Sequence, residues 1–191
     1  TRDALKGSVF SASDGAWIQG EGLAANFEGL KYGIVGGGVD HIDVDYVGGW
    51  HLDPEQIVNY ASAHDNNTLF DKLVLTGFSV TRDIEILKQM QIQANAIVLT
   101  SQGVPFIHAG AEFMRSKPLE GGGYDHNSYE SPDSVNQLRW DRKAQYHDVF
   151  EYYKDLIYIR QAYDHFRMTD PQLINSRLQF LDTNQTYSAI A

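Results

Sequence analysis

Two short β-branched runs separated by one long helical pattern constrain this chain most. The run Ile57-Val58-Asn59-Tyr60-Ala61 sits inside a strand expected over Gln56–Ala63. From Thr81 to Gln102 the apolar residues Ile84, Leu87, Met90, Ala94, Ile97 and Val98 recur at helical spacing. Gly103 suits the position just past that helix, and Pro105 cannot continue it. Val104–Ala109 then reads as a second short strand, with Pro105 tolerable near its start. A further helix is expected over Val149–Tyr163. Strands alternating with helices argue for βαβ units and a parallel sheet, the α/β class. Two such units cannot close a barrel and leave strand edges unpaired.

The remaining segments are less regular. Up to about Trp50 the chain is rich in glycine (Gly33, Gly36, Gly37, Gly38, Gly48, Gly49), with one short helix expected near Leu23–Tyr32. A polar connection from Gly110 to His147 holds Gly121-Gly122-Gly123, and structureless loops beyond about 12–15 residues are uncommon and often functional. After Pro171 the residues Leu173, Ile174, Leu178, Phe180 and Leu181 read as short strands of a new unit. The opening, Thr1–Leu5, has neither an initiator Met nor the apolar core of a secretion signal. The closing Tyr187–Ala191 stops in what reads as the start of a strand. A trimmed domain and a piece of a longer chain both fit.

Charge narrows the partners. Net charge is −10 and the 15 basic residues form no run, which argues against nucleic acid and against an anionic membrane surface. A neutral sugar is compatible with that charge. Cysteine is absent, which excludes disulfides, thiolate nucleophiles and thiolate metal sites.

The chemistry is concentrated where the first strand ends. His64-Asp65-Asn66-Asn67 follows it directly, and in a (β/α) barrel the reactive residues sit at the C-terminal ends of the strands. Asp-Asn-Asn is equally good turn or capping chemistry, and His64 could be a structural histidine. A shared metal ion is disfavoured, because adjacent strand residues point to opposite faces.

Four stretches carry a family resemblance. Tyr60–Leu69 (YASAHDNNTL) resembles the fourth sequence region of the α-amylase family of glycoside hydrolases. Val104–Phe113 (VPFIHAGAEF) resembles that family's eighth barrel strand and the turn after it. Asn127–Asn136 (NSYESPDSVN) is similar to the type I pullulanases, which debranch α-1,6 linkages in pullulan, starch and glycogen. Arg2–Ser8 (RDALKGS) resembles the stretch after their sixth strand. The resemblance is collinear over nearly the whole chain. It implies the C-terminal portion of a (β/α)8 TIM barrel over residues 1–168, running into the start of a C-terminal β-sandwich over residues 169–191. The rest of the barrel and an α-glucan are then the implied partners, with no organic cofactor.

The resemblance also assigns roles. Retaining glycosidases use two carboxyl groups about 5–5.5 Å apart and an oxocarbenium-like transition state. The family's nucleophile and general acid lie on strands that would precede Thr1, so the isolated chain is expected to be inactive. Asp65 is implied as the transition-state-stabilising carboxylate, and His64 as a donor to the same sugar. Asp133 is implied to bind a neighbouring sugar ring, with Asn136 nearby and Asn127 and Tyr129 bordering the cleft. Asp133, Asn127 and Tyr129 are also ordinary turn or loop material. Amylase relatives often carry Arg four residues after that Asp, where this chain has Gln137.

Trp17, Trp50, Phe70 and Tyr124 are sugar-stacking or core aromatics. Trp140 is expected to pack, and Glu112 to act as a hydrogen-bonding structural residue. His41, Asp43 and Asp45 read as a solvated loop, with a calcium site as the alternative. The rival readings are another α-amylase-family hydrolase, such as an isoamylase or neopullulanase, and a non-catalytic carbohydrate-binding fragment.

Overall fold

The computed structural model describes residues 1–37, 40–46, 49, 51–76 and 83–181. Both expected strands are present but short: β1 is Val58–Asn59 and β2 is Val104–Pro105. They pair in parallel, with Val58 opposite Val104. The carbonyls of Ile57 and Asn59 accept from the amides of Val104 (2.9 Å) and Phe106 (2.8 Å). Pro105 has no amide hydrogen to add to this ladder.

Helices dominate the rest: α1 (Arg2–Lys6), α2 (Leu23–Ile34), α3 (Leu69–Leu75), α4 (Ile84–Thr100), α5 (Asp133–Asn136), α6 (Asp141–Gln145), α7 (His147–Ala162) and α8 (Pro171–Arg177). The helix expected over Thr81–Gln102 is α4; Thr81 itself lies outside the described residues. Its start is set by Asp83, whose carboxylate accepts from the Glu85 amide at 2.9 Å. No helix among the described residues is long and apolar enough to cross a membrane.

Helix α4 is the βα crossover that lets two parallel strands lie side by side. Leu87, Ala94, Ile97 and Val98 on it are buried with Ala61, Leu73, Val149 and Tyr153. Arg160 of α7 closes its C-terminal end. The guanidinium donates to the carbonyls of Leu99 (2.9 Å), Ser101 (2.6 Å) and Gly103 (2.8 Å), groups that a helix terminus leaves without partners. Gly103 follows at φ +83°, and a Cβ there would meet the Ile57 side chain at 2.6 Å. Buried Asn59 gives its amide to the carbonyls of Gly33 and Gln102, both at 2.8 Å, and so ties β1 to the ends of α2 and α4.

One face of the ladder is covered and the other is open. Asn59 and Ala61 are buried, whereas Val58, Val104 and Phe106 are exposed. The rings of Tyr60 and Phe106 meet edge to face on that open side, 5.9 Å apart. A mostly apolar cleft of about 440 Å³ also opens between Ile107 and Ala109, which follow β2, and Phe150, Tyr153 and Ile157 of α7.

Several expectations need correction. The segment after Pro171 is not a pair of strands at its start: Leu173 and Ile174 lie in α8. Asp170 caps that helix by accepting from the amides of Gln172 (2.8 Å) and Leu173 (3.4 Å), and Pro171 fits its first turn. Leu178, Phe180 and Leu181 form no strand either. Residues 182–191, with the stretch Tyr187–Ala191, lie outside the described residues.

The 41–45 loop is not simply solvated. His41 is buried with Nε2 at 3.1 Å from the Leu178 carbonyl, and the Asp43 carboxylate accepts from the Phe180 amide at 3.1 Å. Trp140 is mostly exposed, and its ring lies 5.6 Å from that of Phe113. The Gly110–His147 connection is built rather than structureless. Its triple glycine turns an antiparallel bridge between Pro118 and Tyr124, and α5 and α6 lie within it.

A candidate active-site wall at the strand exits

The residues after β1 leave the sheet through a turn that the sequence dictates locally. Asn66 takes φ +60°, a left-handed conformation that Asn tolerates better than most residues. Thr68 then caps α3, its hydroxyl accepting from the Asp71 amide at 3.1 Å. Asp65 therefore caps no helix. Its side chain is 74 % exposed, that of His64 is 85 % exposed, and the two meet at 3.3 Å. So exposed a pair adds little stability, and both groups are free to bind.

The backbone beneath this pair is held from below. The Lys117 ammonium, almost fully buried, donates to the carbonyls of His64 and Asn66, the latter at 3.0 Å. Lys117 is itself fixed by Asp71 of α3, whose carboxylate accepts the Lys117 amide at 2.8 Å and the Ser116 hydroxyl at 2.6 Å. Burial pushes the Asp71 carboxyl above its ordinary range, and these hydrogen bonds oppose that rise. Burial also lowers Lys117, with Arg115 adding to the effect.

His108, at the exit of β2, faces the same region. Burial and the nearby charges of Arg115, Lys117, His64 and Lys6 push its pKa down to about 3, so the imidazole is neutral near pH 7. Both ring nitrogens are buried without a partner among the described residues.

The other predicted residues form a second group. Asp125 accepts from the Asn127 amide at 2.8 Å and from the Ser131 hydroxyl. Asn136 spends its amide on the carbonyls of Ser128 (2.6 Å) and Ser131 (3.0 Å), so it shapes this loop. Asn127, Tyr129 and Asp133 are exposed. Arg115 reaches back to the Ala109 carbonyl (2.9 Å) and across to that of Asn136 (2.8 Å). Residues 115–117 thus fasten the two groups to one scaffold.

Glu112 is structural as expected, its carboxylate accepting from the Gly110 amide at 2.9 Å. Phe70 is buried and Trp17 packs partly against the core; Tyr124 is half-buried, and Trp50 lies outside the described residues. No group of three or more His, Asp or Glu among the described residues is arranged to hold a metal ion. Sequence reasoning missed Lys117, Asp71 and His108. The long separation between Lys117 and His64 leaves no local pattern, although Asp71 inside an apolar stretch was visible.

Known proteins resemble this chain in sequence and in fold. The pullulanase of Bacillus subtilis (strain 168) is 35% identical over 187 residues, 94% of this chain but 23% of that protein. The pullulanase of Paenibacillus barengoltzii, solved with maltohexaose and α-cyclodextrin, superposes with a TM-score of 0.83 at 39% identity, over 95% of this chain and 26% of that one. By sequence and by shape, this chain is similar to one segment of the pullulanases. The pullulanase of Bacillus acidopullulyticus gives a TM-score of 0.82 at 36% identity, over 95% of this chain and 20% of that one. The chain thus spans about a quarter or less of the pullulanases it matches. No family model matches it.

Proposed function

We propose that this chain forms one wall of the catalytic cleft of a debranching glycoside hydrolase, which cuts α-1,6-glucosidic bonds of starch, glycogen and pullulan with retention. The observation that carries this is the freedom of Asp65. It stands exposed at a strand exit, caps nothing, and rests on a backbone clamped by Lys117. A carboxylate so placed accepts hydrogen bonds from sugar hydroxyls, and those bonds strengthen as positive charge grows on the ring. His64 donates to the same sugar. Asp133, Asn127 and Tyr129 border neighbouring rings, and Asn136 holds their loop in shape.

Residues 1–168 are read as the C-terminal part of a (β/α)8 barrel, with residues 169–191 leading out of it. The open face of the β1–β2 ladder supports this, since exposed Val58, Val104 and Phe106 would fill a barrel interior. The attacking and protonating carboxyls belong to strands outside this sequence, and no organic cofactor takes part.

The test is Asp65→Asn in the longer polypeptide that carries this sequence, assayed on pullulan. Turnover should fall on the order of a hundred- to thousand-fold, with KM changed far less. Turnover near wild type would reduce Asp65 to a turn residue.

A further inference from the structure

Phe10 is the most exposed large apolar side chain among the described residues, at 90 %. It belongs to the loop that follows α1, and that loop is held in place. Its ends meet: the Asp14 carboxylate accepts from the Ser8 amide at 2.7 Å, and a Cβ on Gly7, at φ +85°, would meet the Asp14 carbonyl oxygen at 2.2 Å. Within the turn, the Phe10 amide donates to the Ser8 hydroxyl at 3.2 Å. From below, the ammonium of buried Lys72 donates to the carbonyls of Ser8 (3.1 Å) and Ser11, one on each side of Phe10.

The turn that carries Asp65 is braced in the same way. Lys117 donates to the carbonyls of His64 and Asn66, one on each side of Asp65, and the Asp71 carboxylate accepts from the Lys117 amide at 2.8 Å. Asp71 and Lys72 are neighbours in the first turn of α3, the helix that starts at Leu69, just after the Asp65 turn. One turn of one helix therefore braces two loops. The first presents an exposed aromatic ring, the second an exposed carboxylate.

We propose that Phe10 is a stacking platform for a glucose ring of the α-glucan whose reacting ring Asp65 serves. This rests on the reading of His64–Asp65 as one wall of the sugar cleft. The surroundings of Phe10 select the ligand. Ser8, Ser11, Ala12, Ser13 and Asp14 beside it are small or polar, so the ring belongs to no apolar patch of the size that a protein partner covers. A lone ring suits one flat apolar surface of matching size. A pyranose offers its C–H face to such a ring and keeps its hydroxyls at the edge for acceptors such as Asp65. Because the Lys72 clamp already orders the loop, little freedom is lost when the sugar stacks.

The experiment uses the longer polypeptide that carries this sequence. Binding of maltohexaose to the parent, Phe10→Ala and Phe10→Trp is measured by calorimetry, and each is melted without sugar. Phe10→Ala should weaken binding about tenfold, and Phe10→Trp should bind at least as tightly as the parent. Neither should move Tm by more than about 2 °C, because an exposed ring contributes little to stability. An unchanged Kd for Phe10→Ala, or a weakening that Phe10→Trp shares, would overturn the proposal. So would a larger fall in Tm without sugar, since Phe10 would then be packed against protein. These outcomes leave the reading of the cleft standing, whereas a parent that binds no maltohexaose would remove both. Turnover of Asp65→Asn on pullulan tests that reading separately, because it does not depend on Phe10.

Discussion

Under the proposed function, Lys117 acts as a positioning residue. Its ammonium holds the carbonyls on either side of Asp65, so its removal changes where that carboxylate points. Lys117→Met would take the donor from two part-buried carbonyls, at about 1–3 kcal/mol in all. In the longer polypeptide we expect turnover to fall at least tenfold, while Lys117→Arg, with a larger planar head, fails to restore it. A drop in Tm without a drop in kcat would make Lys117 merely structural. His108 yields a pH prediction. Its folded pKa, about 3, lies below the unfolded value of 6.5, so the unfolded chain binds more protons between them. Its contribution to stability is complete above about 6.5 and is lost as pH falls toward 3. Urea midpoints should therefore decline over that window, and less steeply in His108→Met. Equal slopes would contradict this. Of these residues the sequence showed His64 and Asp65 through their place after an apolar run. It hid Lys117 and Asp71, whose partners are brought together only by the fold.

Arg160 carries the corresponding argument for the elements. One guanidinium on α7 closes the end of α4 through three carbonyls, which couples the crossover helix to the helix beside it. Arg160→Ala should cost about 3 kcal/mol, and Arg160→Lys should recover little, because an ammonium cannot span the same fork. Chemical denaturation measures both, and a loss below about 1 kcal/mol would show that the end of α4 needs no such cap. The apolar spacing made α4 and α7 legible because each buries a continuous stripe. The strands were legible in place but not in length. Runs of apolar residues continue past Asn59 and Pro105, whereas the ladder needs a neighbour at every step. The α8 segment was misread because Leu173, Ile174 and Leu178 drew more weight than the Asp170–Pro171 start signal.

At the scale of the molecule, the two sheet-related openings matter most. Val58, Val104 and Phe106 are exposed on one face of the ladder, and Ile107 and Ala109 line the cleft against α7. Soluble proteins seldom leave apolar strand faces bare without a use for them. The unpaired strand edges were legible from two strands that could not close on themselves. The burial of His108 was not, since burial depends on contacts far apart in the chain.

We propose that this chain binds and stabilises the sugar at the point of cleavage but holds neither the attacking nor the protonating carboxyl. The most direct measurement is release of reducing sugar from pullulan by the 191-residue chain alone, beside the longer polypeptide at equal molar concentration. The account predicts no hydrolysis above the buffer rate from the short chain, and turnover from the long one that Asp65→Asn abolishes. Hydrolysis by the short chain at a comparable rate would place the missing carboxyls within it and contradict the account.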